Sequence, residues 1–459
     1  MFCGRGDFII NTTKQIKKLI RQRTRRKLTM KKKRAMAALA MAACLAVTSL
    51  VGCGSKGNDG GTENAEGAKG EKTTITFGVF ETDNITSEIW AGMIDSFEEA
   101  NPEIKVEKVM ASGDDRTAFW RTMLNSGKFP DVLVETEPLA TMGIFAEVPE
   151  DVQSLFNEDL LIEHGGKVIG VPASVQYKGQ CYYNKAIFEE LGLKEPSTWD
   201  EFLSNCQAIK DAGKVPLMCG GTGDTWATGG MYWIAQGDTQ VQAAYPDFIQ
   251  GLEEGKYKWN NDVTMKVMTQ FQDMVDKGYY YEGGLSLSYS QASEAFLKGD
   301  AAMMIDGAWM NATLDNAEND DFGVFVVPTM DGSKVAIGNA STWGVYKDSK
   351  NQDAAWAFIK HIFGTDTKPY ADWLACDGLF STTKEPVTYP MGPVTTKFIE
   401  NVEGYDVKME ICGTPGDYVI PSGMQSFIDK SHQNTFNGAD VSKELDSWDA
   451  EYQRLLDAQ

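Results

Sequence analysis

TITFGVFETDNITSEIWAGMIDSFEEANPEIKVEKVMASGDDRTAFWRTMLNSGKFPDVLV, residues 74–134, is the stretch that decides the fold. Residues 74–80 alternate as a strand does, and Ile85, Ile89, Met93 and Phe97 then recur at helical spacing until Asn101-Pro102 stops the helix. IKVEKVM (104–110) alternates again. A second amphipathic helix carries Phe119, Trp120, Met123 and Leu124, closes at Gly127, and leads through Phe129-Pro130 into the short strand DVLV, 131–134. This is β-α-β-α-β, which demands a parallel sheet with helices over its faces and predicts the α/β class.

Working toward the C-terminus, a second unit begins near Val168. IGVPASVQYKGQCYYNK (169–185) supplies extended segments, AIFEELGL is a short helix ended by Gly192, and Thr198 with Glu201 fits a capping box for a helix burying Phe202, Leu203, Cys206 and Ile209. SQASEAFLK (290–298) reads as a helix capped by Ser290, feeding the strand AAMMIDG. AIGNASTWGVYK (336–347) is extended, and the last third is mostly helical. The chain of 459 residues, 42% hydrophobic, is too long for one ordinary domain, so two lobes are expected.

Toward the N-terminus the composition changes. The first 52 residues hold thirteen Lys/Arg and one acid, Asp7; the rest carries 30 basic and 64 acidic residues, a formal charge of −34. Such a surface repels phosphate backbones, so nucleic acid is not an expected partner. Lys31-Lys32-Lys33-Arg34, the apolar stretch 35–50 and Val51-Gly52-Cys53 form the charged, apolar and small-residue regions of an export signal, with Met30 an alternative start. The apolar stretch falls short of the ~20 residues a membrane span needs. Leu50-Val51-Gly52-Cys53 resembles the bacterial lipobox, which implies cleavage before Cys53 and a lipid on its sulfur; two acyl chains hold a membrane stably. Residues 54–72, rich in Gly and charge, read as a flexible linker of roughly 25 Å. The five later cysteines (Cys181, Cys206, Cys219, Cys376, Cys412) are odd in number and widely spread, which predicts buried free thiols. The scattered histidines His164, His361 and His432 give a metal site little support.

In open α/β sheets ligands bind beyond the carboxyl ends of the strands. The residues there are Glu81 and Asp83 after the first strand, Asp114 after the second, Glu135 after the third, and Asp306 with Trp309 after AAMMI. Trp226 lies in the Gly-rich loop GGTGDTWATGG. Carboxylates accept from paired hydroxyls and flat rings cover a C–H face, the combination a sugar requires. Core packing of Trp309, loop stapling by Trp226, a turn cap at Asp306 and plain solvation of the acids are the competing structural roles.

Six segments then carry a resemblance in a fixed order: SGKFPDVLV, IGVPASVQYKGQCYYNKAIFEELGL, EPSTWDEFLSNCQAIKDAGKVPL, FLKGDAAMMIDGAWM, GNASTWGV and DGLFSTTKEP. From about Thr73 onward the chain resembles the family 1 extracellular solute-binding proteins of ABC importers, the sugar-binding group related to maltose-binding protein. The resemblance implies a two-lobed type II periplasmic-binding-protein fold, with crossings near Pro172, Ala336 and Ser381 and the ligand held between the lobes. Lobe 1 would be 73–172 plus about 337–381, and lobe 2 would be 173–336 plus about 382–459. It further implies stacking by Trp309, a ligand-facing Trp226, Asp306 at the head of its motif, Gly338 and Asn339 on a returning strand, and Tyr177 from the first crossing. Glu135 departs from the family pattern.

The chain is accordingly expected to be a monomeric, lipid-anchored receptor outside the cytoplasm. It takes a sugar, needs no cofactor or metal, and hands its ligand to the permease subunits of an importer. A lipid-anchored surface glycoside hydrolase also needs rings and carboxylates at strand ends, and an adhesin or a binder of a non-sugar polar solute would suit the acidic surface. The tryptophans and the family likeness across the whole body favour the non-enzymatic sugar receptor.

Overall fold

The computed structural model describes residues 72–112, 116–316, 321–413 and 418–457. The export signal, Cys53, nearly all of the linker and Asp114 lie outside the described residues. Strand β1 (Thr73–Val79) lies between β2 (Ile104–Met110) and β3 (Val132–Val134), parallel to both. The connecting helix Ser87–Ala100 buries Trp90, Met93, Ile94 and Phe97, and Arg116–Asn125 buries Trp120. The β-α-β-α-β unit is therefore as expected, but the sheet does not stay parallel. β4 (Ile162–His164) is antiparallel to β5 (Lys167–Lys178), and β10 (Val335–Val345) runs antiparallel to both β5 and β3. β10, where the chain returns from the second sheet, thus runs against β1, β2, β3 and β5, which share one direction. The order is β2-β1-β3-β10-β5-β4, with β11 (Asp406–Met409) beside the start of β10.

A second sheet contains β6 (Gln180–Asn184), β7 (Leu217–Met218), β8 (Met303–Asp306) and β9 (Phe322–Val326), in the order β7-β8-β6-β9. Two helix starts refine the sequence reading. Thr198 accepts from the Glu201 amide at 3.2 Å, but the Glu201 carboxylate turns to the amide and hydroxyl of Ser197 instead of closing the box. The helix expected from Ser290 starts at Tyr289, because Ser288 has Gln291 three residues on and completes a full box with it, whereas Ser290 is followed at that spacing by Ser293.

Each sheet has its own main core, with a smaller buried cluster beside it. In the first, Phe77, Trp90, Trp343, Phe358 and Trp373 interlock; in the second, Trp233, Trp259, Phe271, Met424 and Trp448 do. The chain changes core along β5 between Ala173 and Tyr177, along β10 between Ile337 and Trp343, and again between Leu379 and Phe380. The five later cysteines are free, with Cys181, Cys206 and Cys219 buried.

Trp343 is fully buried, with Phe77 and Phe363 both 5.1 Å away between ring centroids. Trp343→Ala should cost about 3–5 kcal/mol, read as a lower denaturant midpoint for the transition of this lobe; an unchanged midpoint would show that the ring is not part of the core.

Candidate functional site

The end of β8 builds one wall. Trp309 opens the helix Trp309–Asn316, and its indole folds back over Gly307, where any Cβ would collide with the ring. Trp226 opens its own helix, Trp226–Trp233, rather than lying in an open loop. The half-buried rings of Trp226 and Trp309 meet edge to face, 5.6 Å between centroids at 83°, and Tyr289 tilts against Trp226 at 4.8 Å. Trp309 Nε1 donates to Tyr289 Oη at 2.6 Å, Tyr289 Oη donates to Asp306 Oδ2 at 2.9 Å, and the Gly307 amide donates to Asp306 Oδ1 at 2.9 Å. Asp306 is fully buried. Burial pushes its carboxyl up to about 7, against the pull of its hydrogen-bond donors. The Asp306 carboxylate, expected from sequence at the ligand, is here hydrogen-bonded inside the protein beneath the rings.

The loops after β1 and β3 form the facing wall. Glu135 has φ 60°, and among the described residues no other non-glycine has positive φ. Such left-handed backbone costs of order 1–3 kcal/mol and is kept where surrounding structure demands it. It carries the carboxylate to Arg116, Nη2 to Oε2 3.1 Å, while the guanidinium lies 4.1 Å over the Phe80 ring. Glu81 is exposed, 3.8 Å from Lys108 Nζ. Asp83 accepts a hydrogen bond from Ser290 Oγ, from the segment that carries Tyr289, and so reaches across to the other lobe.

Asn84 makes a second link between the walls. Its Nδ2 donates to the Trp309 carbonyl at 3.3 Å and to Asp377 Oδ1 at 3.2 Å. Asp377 also accepts from Gln176 Nε2 at 2.8 Å, and burial holds its carboxyl up at about 6 despite both donors. Next to it Gly378, φ 63°, lies so close to the Ala308 carbonyl that a Cβ could not fit, so the third crossing and the Trp309 turn meet backbone to backbone.

The floor between the walls is the β5/β10 pair. Ser174 lies opposite Ser341, Gln176 opposite Asn339, and Lys178 opposite Ile337. Strand alternation puts Ser174, Gln176 and Lys178 with Asn339 and Ser341 on one face, and Tyr177 and Gly338 on the other. The Ser174 and Ser341 hydroxyls and Asn339 Oδ1 are buried without a protein partner. Lys178 Nζ pairs with Glu410 Oε2 at 2.9 Å. Tyr177 is 3% exposed, its ring between Phe380 at 5.4 Å and Phe398 at 5.2 Å. Tyr177 and Gly338, expected at the ligand, are therefore packing positions behind the floor.

Of the residues named from sequence, the structure brings Trp226, Trp309, Asp306, Asp83, Glu135 and Asn339 around one interlobe region. The sequence reading missed Tyr289, Asn84, Arg116, Gln176, Lys178, Asp377 and Glu410. Period-two alternation along SVQYK was the available signal for two of them, since it sets Gln176 and Lys178 opposite Tyr177. Nothing local marks Asp377 or Tyr289, whose partners lie elsewhere in the chain.

Two sheets, two cores, three crossings and a polar, ring-lined region between them define a bilobal binding protein. Residues 82–369 match the bacterial extracellular solute-binding proteins, and the chain belongs to that family. Membership places its work outside the cytoplasm. A multiple sugar-binding protein of Streptococcus mutans is 25% identical over 322 residues, 66% of this chain and 74% of that one. For several other curated relatives the match spans only about half of their length. In the solved structures, a chitin oligosaccharide binding protein superposes with a TM-score of 0.72 at 22% identity, covering 84% of this chain and 99% of that one. A Bacillus licheniformis sugar transporter in complex with stachyose gives 0.65 at 20% identity, covering 83% and 100%. These likenesses show the two-lobed fold. Among the described residues no cluster of His, Cys, Asp or Glu could hold a metal, and no helix is long and apolar enough to cross a membrane.

The buried Asp306 carboxyl makes stability depend on pH. Its folded value, about 7, lies above its ordinary 3.8, so the stability it contributes is full below about pH 4 and is lost as pH rises through 7. Between pH 4 and 8, melting of Asp306→Asn should shift in the variant's favour relative to wild type; a gap that does not change with pH would show that Asp306 ionises normally.

Proposed function

We propose that the protein is the extracytoplasmic receptor of an ABC importer, capturing a carbohydrate, best matched by an oligosaccharide, between its lobes for delivery to the membrane permease. The observation that carries this reading is that Asn84, bonded to the Trp309 carbonyl and to Asp377, and Gln176, bonded to Asp377 and opposite Asn339, link polar groups to the turn that carries Trp309, whose ring meets that of Trp226. Rings cover a sugar's C–H face while amides and carboxylates serve its hydroxyls. The names of the relatives, a multiple sugar-binding protein and a chitin oligosaccharide binding protein, point the same way. Glu135 and Arg116 border the sugar, with Asp83 and Glu81 at the rim, and Asp114 stays a candidate from its place in the sequence after the second strand.

In this reading lobe 1 is 73–172 plus about 337–381 and lobe 2 is 173–336 plus about 382–459. Closure brings Asp83 to Ser290 and Asn84 to Trp309, so ligand capture shifts an open–closed equilibrium that the permease senses. The receptor works as a monomer, held to the membrane by a lipid on Cys53, and it releases the sugar unchanged. The relatives that support this are binding proteins, not enzymes.

A thermal-shift screen against neutral oligosaccharides should find one that raises the melting temperature, because a ligand bound only by the folded state stabilises it. Accumulating cleavage products would overturn binding without turnover. Trp309→Ala should weaken affinity for that sugar about 10- to 100-fold, and unchanged affinity would remove the ring from the site. In cells, Cys53→Ser should abolish incorporation of labelled palmitate and release the protein from the membrane; continued labelling would place the lipid elsewhere.

A further inference from the structure

We propose that Tyr289 is a positioning residue that sets the orientation of the Trp309 indole for the ligand, and that Asp306 acts on the ligand only through Tyr289. This rests on the reading of Trp309 as the stacking ring.

The chemistry of the three groups fixes the direction of the chain. An indole N–H only donates and a phenol both donates and accepts, while the Asp306 carboxylate only accepts in its ionised form, the one that prevails above about pH 7. Tyr289 Oη sits 2.6 Å from Trp309 Nε1 and 2.9 Å from Asp306 Oδ2, so it accepts from one and donates to the other. Asp306 is in turn anchored by the Gly307 amide at 2.9 Å. A hydrogen bond at the edge of an indole selects one of the ring's flipped orientations, because the opposite one carries Nε1 away from its partner.

Packing does not require such a bond here. The indole nitrogens of Trp199, Trp259, Trp343, Trp373 and Trp448 are buried with no hydrogen-bond partner, yet those rings are held in the cores. Trp309 is only half-buried, has Gly307 beneath it in place of a side chain, and meets Trp226 edge to face. A half-buried ring has less packing to orient it than a core ring, and the relay supplies what packing does not.

The position of Tyr289 is itself well determined. It is the first residue of its helix, behind the Ser288–Gln291 capping box, and its ring lies 4.8 Å from that of Trp226. The next residue, Ser290, donates to Asp83 of the other lobe. One helical turn thus holds the indole and also receives the facing wall.

The test combines a ligand-free readout with binding. The purified protein is labelled with 5-fluorotryptophan, and Trp309→Phe assigns the Trp309 fluorine resonance. Tyr289→Phe removes the hydroxyl and keeps the ring; it should shift and broaden the Trp309 resonance while the resonances of the core tryptophans stay in place, and Asp306→Asn should do the same. A Trp309 resonance unchanged in Tyr289→Phe overturns the proposal. Stachyose and a chitin tetrasaccharide then serve as calorimetric probes. For whichever binds, Tyr289→Phe should weaken affinity roughly 3- to 10-fold, Trp309→Ala should weaken it at least as much, and the double variant should be no worse than Trp309→Ala alone. Loss in Trp309→Ala with none in Tyr289→Phe defeats the positioning role and leaves the stacking role standing. No loss in Trp309→Ala, or no binding of either sugar, counts against the functional reading, and the fluorine spectrum still decides the relay.

Discussion

Two hydrophobic cores in one chain need a connection that pairs its own backbone groups and does not fuse the cores into one. β5 and β10 meet that constraint by pairing with each other as they pass from one core to the other, and the segment at Phe380 joins them through its bridge to Val175. Every other feature of the site depends on this ribbon. Its backbone is satisfied internally, so its side chains are free to differ on the two faces. One face, with Val175 and Tyr177, packs on Phe380 and Phe398; the other, with Gln176, Lys178 and Asn339, is polar.

That polar face explains why the walls sit where they do. Asp377 leaves the third crossing beside Gln176, and Asn84 reaches it from the loop after β1 while also touching the Trp309 turn. The aromatic wall contributes apolar surface and the floor contributes hydrogen-bonding groups, three of them without protein partners. An unmet polar group in a buried place costs on the order of 1–3 kcal/mol, which a ligand's hydroxyls can recover. In the proposed function, lobe closure and ligand capture are coupled through that recovery: the ligand favours whichever arrangement lets both walls reach it.

The parts of the fold legible from sequence were those set by local pattern. The alternation of 74–80, the helical spacing of Ile89, Met93 and Phe97, and the Pro102 stop gave the first unit correctly. The antiparallel entry of β10 was not legible, because it depends on where the chain goes after leaving the sheet. At the candidate site, Trp226 and Trp309, named from residue type and the family likeness, meet ring to ring in the structure. For Asp306 only the structure shows Tyr289 between it and the indole. Tyr177 was named from the resemblance, as part of the first crossing; the strand's two-residue period assigns its neighbours Gln176 and Lys178 to the opposite face. Asp114 and Cys53 lie outside the described residues.

Whether a sugar is held between the lobes, against Trp309 and above the β5/β10 floor, is tested most directly by a crystal structure of the protein with an oligosaccharide it binds. The predicted result is a sugar ring stacked on the Trp309 indole, with hydroxyls in hydrogen-bond range of Asn339 and Asp377. A sugar bound away from this interlobe region, or one that leaves the indole uncovered, would contradict it.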